Sequence, residues 1–227
     1  PVLNGQAPQS VDVTPSDGKT WADISYLIGG QNVYARFLDS KGYVVTGPKA
    51  QWSLVGKTHT PFKTDSAPGT LKYTCIKCHT VGWRESGAYD GGVENALEGI
   101  PGAWFENGVG CEACHGMGHK HVILKDKANL KKAKGDLKIK VDKSLDGCGT
   151  CHKRTDDNSL LLVGRDLVES RQQYTEFKLN KKGKFKFTCV MCHDTHVTSA
   201  DEGGFVKKCA DCYTGKFAKP VKIAAME

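Results

Sequence analysis

Hydrophobic and polar positions along residues 1–58 predict a small β-rich segment. Residues 24–28 form an apolar run that ends at a glycine pair. Residues 32–39 and 43–46 alternate as strands do, and Ser40-Lys41-Gly42 supplies the turn between them. The N-terminal quarter of the chain is therefore expected to form antiparallel strands.

Two more elements are predicted in the second half of the chain. Leu160 to Gln173 follow a run of helix-capping residues and predict a helix. Tyr174 to Leu179 and Lys184 to Thr188 flank Lys181-Lys182-Gly183 and predict a second hairpin.

Length and composition place the chain among globular proteins. Its 227 residues are 39% hydrophobic and 25% charged, values typical of one domain or two small ones. Disordered, collagen-like and coiled-coil chains are excluded. No apolar run is long enough for a transmembrane helix.

The ten cysteines are all arranged in C-x-x-C pairs. Zinc clips, redox dithiols and haem attachment sites all use such pairs. The five pairs are Cys75/Cys78, Cys111/Cys114, Cys148/Cys151, Cys189/Cys192 and Cys209/Cys212.

Histidine follows the second cysteine in four of these pairs, at His79, His115, His152 and His193. C-x-x-C-H is the attachment signature of c-type haem. The two thiols add to the porphyrin vinyl groups, and the adjacent imidazole then binds the iron. Zinc ribbons need no histidine at this position. The sequence therefore predicts four covalently attached c-type haems.

The remaining histidines match the number of irons. Four are left for four distal positions: His59, His119, His121 and His196. All four irons are thus predicted to be bis-His, six-coordinate and low-spin. Such an iron has no open position for a substrate, so the prediction is electron transfer and not catalysis.

Three of these histidines are expected to serve a haem other than their nearest one. His119 and His121 follow His115 too closely to reach the opposite face of the same ring. His196 stands in the same relation to His193, and its haem would lie elsewhere, including in a neighbouring subunit.

The fifth pair, Cys209 and Cys212, is followed by Tyr213. A disulfide or the remnant of a lost haem site is the main interpretation. A fifth haem with a tyrosine ligand is the alternative, and it is disfavoured because haem attachment recognises the histidine.

Four haems in a chain of this length would supply much of the buried apolar surface. The expected fold is a multihaem cytochrome c of mostly loops, short helices and a few β-hairpins, wrapped around a stacked haem column. Residues 1–58 would form the β-rich segment and residues 59–227 the tetrahaem region, together making a single compact unit.

The formal charge of +7 is largely offset once haem is counted. The iron and propionates of four haems lower it to about +3 when oxidised and about −1 when reduced. Nucleic acid is therefore not an expected partner. Lysine clusters at residues 119–143 and 181–186 indicate a solvated surface, with modest attraction to an acidic redox partner.

The sequence begins at Pro1, which is typical of a processed, exported chain. Haem attachment also occurs outside the cytoplasm. The expected location is the cell surface or extracellular space, with the periplasm as the alternative.

Two stretches resemble multihaem c-type cytochromes. Residues 104–121 resemble the family signature W-x-E-x-G-V-x-C-E-x-C-H-G-x-G-x-x-H, and residues 23–30 with 35–39 resemble the N-terminal segment. Length and haem number are similar to extracellular cytochrome filaments of the OmcE type. The resemblance implies that the eight motif cysteines hold haem and that all eight histidines ligate iron. It also implies subunits that polymerise head to tail, with ligation across the boundary suited to His196, His119 or His121. Tyr213 departs from the pattern.

Three functions are open at this point. The first is a polymerised electron wire that passes electrons to other redox proteins or extracellular acceptors. The second is a soluble periplasmic shuttle. The third, a reductase of a small nitrogen oxyanion, would need one five-coordinate haem, which the histidine match disfavours.

Overall fold

A computed structural model describes residues 5–8, 12–16, 18–85, 97–118, 142–153, 172–179, 188–197 and 203–204. The chain divides into two compact units, unit 1 (Pro1–Val141) and unit 2 (Asp142–Glu227). The sheet and the first motif lie in the same unit, and they share one hydrophobic core. The predicted boundary at residue 58 stays a prediction.

Unit 1 contains a four-stranded antiparallel sheet in the order β1-β2-β3-β4. The strands are β1 (Ile24–Gly29), β2 (Tyr34–Asp39), β3 (Gly47–Ser53) and β4 (Thr58–Phe62). Strands β1 and β2 follow the predicted alternation. The predicted turn is present, because the Asp39 carboxylate accepts the backbone N–H groups of Lys41 and Tyr43 and Gly42 takes φ +85°.

Residues 43–46, predicted as a strand, make only an isolated bridge from Val44 to Leu38. The third strand begins instead at Gly47 and contains Pro48. Glycine and proline have low strand propensity, so the sequence pattern does not predict this strand. It forms because it pairs with a strand on each side.

The two faces of the sheet bury different clusters. One face, here called the motif face, packs Leu38 and Val44 against Tyr73 and Ile76 of the first C-x-x-C-H motif region and against Trp104. The opposite face, here called the N-terminal face, buries a second set around Phe37. Its buried members are Val13, Ile24, Ala35 and Phe37, with Trp21, Leu27 and Trp52 at the edge.

Unit 1 also has a short two-stranded sheet and a short helix. Strands β5 (Thr80–Val81) and β6 (Glu106–Asn107) pair antiparallel. Helix α1 spans Cys111–His115 and packs against β5.

In unit 2 the described helices are α2 (Leu145–Gly149) and α3 (Gln173–Leu179). Residues 174–179 were predicted as a strand, and this prediction is wrong. Tyr174 and Lys178 lie one helical turn apart, and the Lys178 ammonium donates to the Tyr174 hydroxyl at 3.1 Å. The predicted helix over 160–173 and the partner strand over 184–188 lie almost wholly outside the described residues.

The described α-helices are five to seven residues long and the 3-10 helices three to four, which agrees with the predicted low content of regular structure. None of them has the length and apolar character needed to cross a membrane.

Candidate functional site

All four C-x-x-C-H motifs adopt one turn of helix. The histidine N–H donates to the carbonyl of the first cysteine at 3.2 Å in motif 1 (His79), 3.0 Å in motif 3 (His152) and 2.9 Å in motif 4 (His193). Motif 2 is itself helix α1, which ends at His115. Residues i, i+3 and i+4 of a helical turn share one face, so each turn brings two sulfurs and an imidazole to the same side.

The cysteines of these turns are available for chemistry. The eight described cysteines are all thiols, and each is exposed or half-buried. Within the described ranges no three His, Cys, Asp or Glu side chains gather as metal ligands, whereas a zinc ribbon needs four. Each motif brings its own two sulfurs and imidazole to one side, which is the arrangement that a separate haem attachment turn requires.

Motif 1 borders a cleft of about 120 Å³ in unit 1, lined by both apolar and polar residues. His79 lies at its wall, and Trp104, which is buried, packs edge-on against Tyr26 with ring centroids 6.0 Å apart. The remaining apolar lining consists of Leu27, Ile28, Leu38, Tyr73, Ile76 and Ile100. Flat apolar surface beside a ligating imidazole is the environment that a haem edge requires, so the residues present fit this group.

The β5–β6 ladder fixes motif 1 beside motif 2. Thr80, directly after His79, pairs with Asn107, and Val81 pairs with Glu106. Helix α1, which is motif 2, begins at Cys111, shortly after β6. Two attachment turns are thus held by one stretch of backbone hydrogen bonds.

Motif 2 ends in a compact loop. Gly116 follows His115 with φ +70° and ψ −174°, a conformation accessible essentially to glycine alone. The Glu112 carboxylate accepts the Gly118 N–H at 2.6 Å and closes the loop. Three apolar side chains around this motif are exposed, namely Phe105, Val109 and Met117. A haem held by motif 2 could cover this apolar surface.

Tyr174 organises motif 3 in unit 2. Its ring lies so close to Gly149, inside the C-x-x-C loop, that a Cβ there would meet ring carbons at 2.4 Å. Its backbone N–H donates to the His152 carbonyl at 3.1 Å, and its hydroxyl donates to Asp146 at 2.6 Å.

Motifs 3 and 4 meet through their first cysteines. The Cys189 thiol lies close enough to the Cys148 thiol to influence its pKa. Burial, followed by the interaction with Cys189, raises the pKa of the Cys148 thiol to about 11. Two attachment turns from distant parts of the sequence are therefore neighbours.

The predicted distal histidines are placed differently from one another. His196 is largely exposed, and its Nδ1 lies 3.4 Å from an Asp194 carboxylate oxygen. His59, on β4, places Nε2 2.6 Å from the Pro15 carbonyl oxygen. His119 and His121 lie outside the described residues, as do Cys209, Cys212 and Tyr213.

Sequence reasoning missed the residues that surround the motifs. Trp104 and Glu112 lie within the recognised signature, but the signature does not indicate which contacts they make. Tyr174 lies outside any recognised motif. No local pattern points to Tyr174, because its role depends on contact with a glycine 25 positions away in sequence.

Comparison with known proteins agrees with the motifs. Residues 49–116, less than a third of the chain, match the family model for cytochrome c554 and c-prime. No curated protein has a sequence that matches the chain.

Two solved structures align with this chain to different degrees. The undecahaem cytochrome from the S-layer of Carboxydothermus ferrireducens aligns with a TM-score of 0.51 and 18% identity over 88% of this chain. The outer cell wall cytochrome OcwA aligns with a TM-score of 0.48 and 17% identity over 84%. The alignments cover 37% and 56% of those longer chains, respectively.

The S-layer protein shows that the fold occurs in a multihaem cytochrome. Together with the family match, it confirms the predicted resemblance to multihaem c-type cytochromes.

Proposed function

We propose that this chain, which resembles multihaem c-type cytochromes, transfers electrons through four covalently attached haems. Each haem would be held by one C-x-x-C-H turn, with the motif histidine as proximal ligand. The observation that carries the proposal is the common helical turn of all four motifs, which brings both sulfurs and the imidazole to one side.

The haems would supply one-electron redox chemistry, and the chain would set their environment. Cys75, Cys78, Cys111, Cys114, Cys148, Cys151, Cys189 and Cys192 would form the thioether bonds. His59, His119, His121 and His196 would be the distal ligands. Two imidazoles per iron leave no position for substrate, so transfer of electrons is favoured over a reductase activity.

Two pairs of haems would conduct within the chain. The β5–β6 ladder supports a pair at motifs 1 and 2, and the contact of Cys148 with Cys189 supports a pair at motifs 3 and 4. Neighbouring attachment turns bring porphyrin edges close together, which favours rapid exchange within each pair.

At the level of assembly, we propose the subunit of an extracellular conducting filament. The resemblance to OmcE-type filaments supports a head-to-tail homopolymer, and the S-layer location of the structural neighbour supports an extracellular place. An interface of this kind that does not close generates a filament. His196 is exposed, and its Nδ1 lies 3.4 Å from an Asp194 carboxylate oxygen that can orient the ring. These features suit a ligand for a haem of a neighbouring subunit.

Haem counting on the purified holoprotein tests the electron-transfer proposal. Pyridine haemochrome absorbance per chain should give four haems, and three in the Cys75→Ala/Cys78→Ala variant. Four haems in that variant would show that motif 1 holds none. Negative-stain micrographs test assembly: long uniform filaments support the wire, whereas separate particles at every concentration favour a soluble shuttle.

A further inference from the structure

Residues 12–16, here called the strap, cross the N-terminal face of the sheet. Val13 is buried there beside Phe37, and the Ser16 side chain is also buried. At the outer end the Lys57 ammonium lies 2.8 Å from the Asp12 carboxylate. The strap is thus held by apolar contact and by an ion pair.

The strap covers the iron-binding atom of His59. Nε2 donates to the Pro15 carbonyl at 2.6 Å, and the imidazole packs edge-on against Trp52 with ring centroids 4.9 Å apart. One nitrogen cannot donate its proton to a carbonyl and give its lone pair to iron at the same time. Strap contact and iron ligation by His59 through Nε2 are therefore mutually exclusive.

The register of the sheet also determines which haem His59 can serve. His59 pairs with Trp52, which belongs to the N-terminal face, whereas Phe62 on the same strand packs with the motif 1 cluster. Side chains of a strand alternate between faces, so His59 points away from motif 1. A haem held by motif 1 would lie on the far side of the sheet from it.

We propose that His59 is a distal ligand held in reserve, and that the strap blocks it until a haem other than that of motif 1 reaches the N-terminal face. This inference rests on the proposed function. For His59 to bind such a haem, the Nε2–H···O bond would break, the Nε2 proton would leave to solvent while Nδ1 took up a proton, and the Nε2 lone pair would become available to iron. No electron is transferred in this exchange.

Hydrogen exchange of the strap in the holoprotein tests this exclusion, with free imidazole as the probe. Imidazole competes with His59 for iron and would return His59 to Pro15. Exchange over residues 12–19 should therefore slow by about threefold or more. In His59→Gln, whose amide still donates to Pro15, the strap stays closed without imidazole and one haem becomes high-spin.

Two valine variants form a matched pair. Val13→Ala removes buried methyl groups from the strap and should shift the balance towards the open strap by about tenfold. Val55→Ala makes the same change at a side chain that is 81% exposed, and it should behave as the wild type.

The failure of each part has its own signature. If His59→Gln gives one high-spin haem while imidazole leaves strap exchange unchanged, His59 is a ligand and the strap is not its competitor. If His59→Gln leaves every haem low-spin, His59 is no ligand, and both this inference and that part of the proposed function are overturned.

Hydrogen exchange of the strap at several protein concentrations shows whether the haem comes from a second copy or from the same chain. Strap exchange that slows on dilution indicates a haem from a second copy of the chain. Strap exchange that is open and independent of concentration indicates a haem from a later motif of the same chain. Both results support the exclusion between strap and iron.

Discussion

Unit 1 and unit 2 each carry two C-x-x-C-H turns but surround them differently. In unit 1 the turns rest on a sheet with two buried clusters that include Phe37 and Trp104. Among the described residues of unit 2, Tyr174 is the single buried hydrophobic side chain, and its neighbours Gln172 and Thr175 are polar. Unit 1 therefore has a core of its own, and we expect the described part of unit 2 to depend more on its proposed haems for buried apolar surface.

Removing the haems should produce the largest difference in stability between the two units. In chain produced without haem attachment, we expect unit 1 to keep its four-stranded sheet and unit 2 to lose protection, because the described part of unit 2 contains a single buried hydrophobic side chain. Hydrogen exchange resolved by peptide measures this. Equal protection of both units in the haem-free chain would contradict the comparison.

Trp104→Ala should cost unit 1 about 3–5 kcal/mol of unfolding free energy, since it empties a fully buried site in the core. Denaturant unfolding followed by sheet circular dichroism reports the change. Val55→Ala, at an exposed position of the same unit, is the control and should shift the unfolding free energy by less than about 0.5 kcal/mol.

Gly149→Ala should destabilise unit 2 by about 1–3 kcal/mol, because the new Cβ would overlap the Tyr174 ring. The reduction potential of one haem should shift as well, since this loop lies between Cys148 and Cys151. Gly147→Ala on the same helix is the matched control, as its Cβ would meet only the flexible Asp142 side chain. Identical melting and identical potentials for the two variants would argue against the role of Tyr174.

Tyr73 should produce a smaller, alkaline effect in unit 1. Burial raises the pKa of Tyr73 above its usual value of 10.0, and negative charge on free Cys75 and Cys78 adds to the shift. The unfolded state therefore loses this proton first, and stability falls as pH rises above about 10. Tyr73→Phe should flatten that fall in the unfolding free energy. An unchanged slope would show that the Tyr73 proton does not contribute.

Local chemistry in the sequence predicted the attachment turns, strands β1 and β2 and the turn at Gly42. These features depend on residues near one another in the chain, so spacing and propensity suffice. The strand over 47–53 was missed because Gly47 and Pro48 resemble a turn until β2 and β4 pair with it. The helix over 173–179 was missed because so short a stretch fits the hydrophobic period of a helix and of a strand equally well. Packing of Tyr174 against Gly149, which the local sequence does not show, favours the helix.

The arrangement of the motifs relative to one another lay beyond the sequence. Contact between Cys148 and Cys189 joins turns that are 41 residues apart, and no pattern encodes it. The position of His59 on the N-terminal face likewise depends on strand register, since a slip of one residue would turn it to the other face.

The most direct test of the account is low-temperature electron paramagnetic resonance of the oxidised holoprotein, quantified against the haem count. The account predicts four covalent haems per chain, all low-spin with bis-imidazole signals. Fewer than four haems, or a stoichiometric high-spin signal from one of them in the assembled protein, would contradict it.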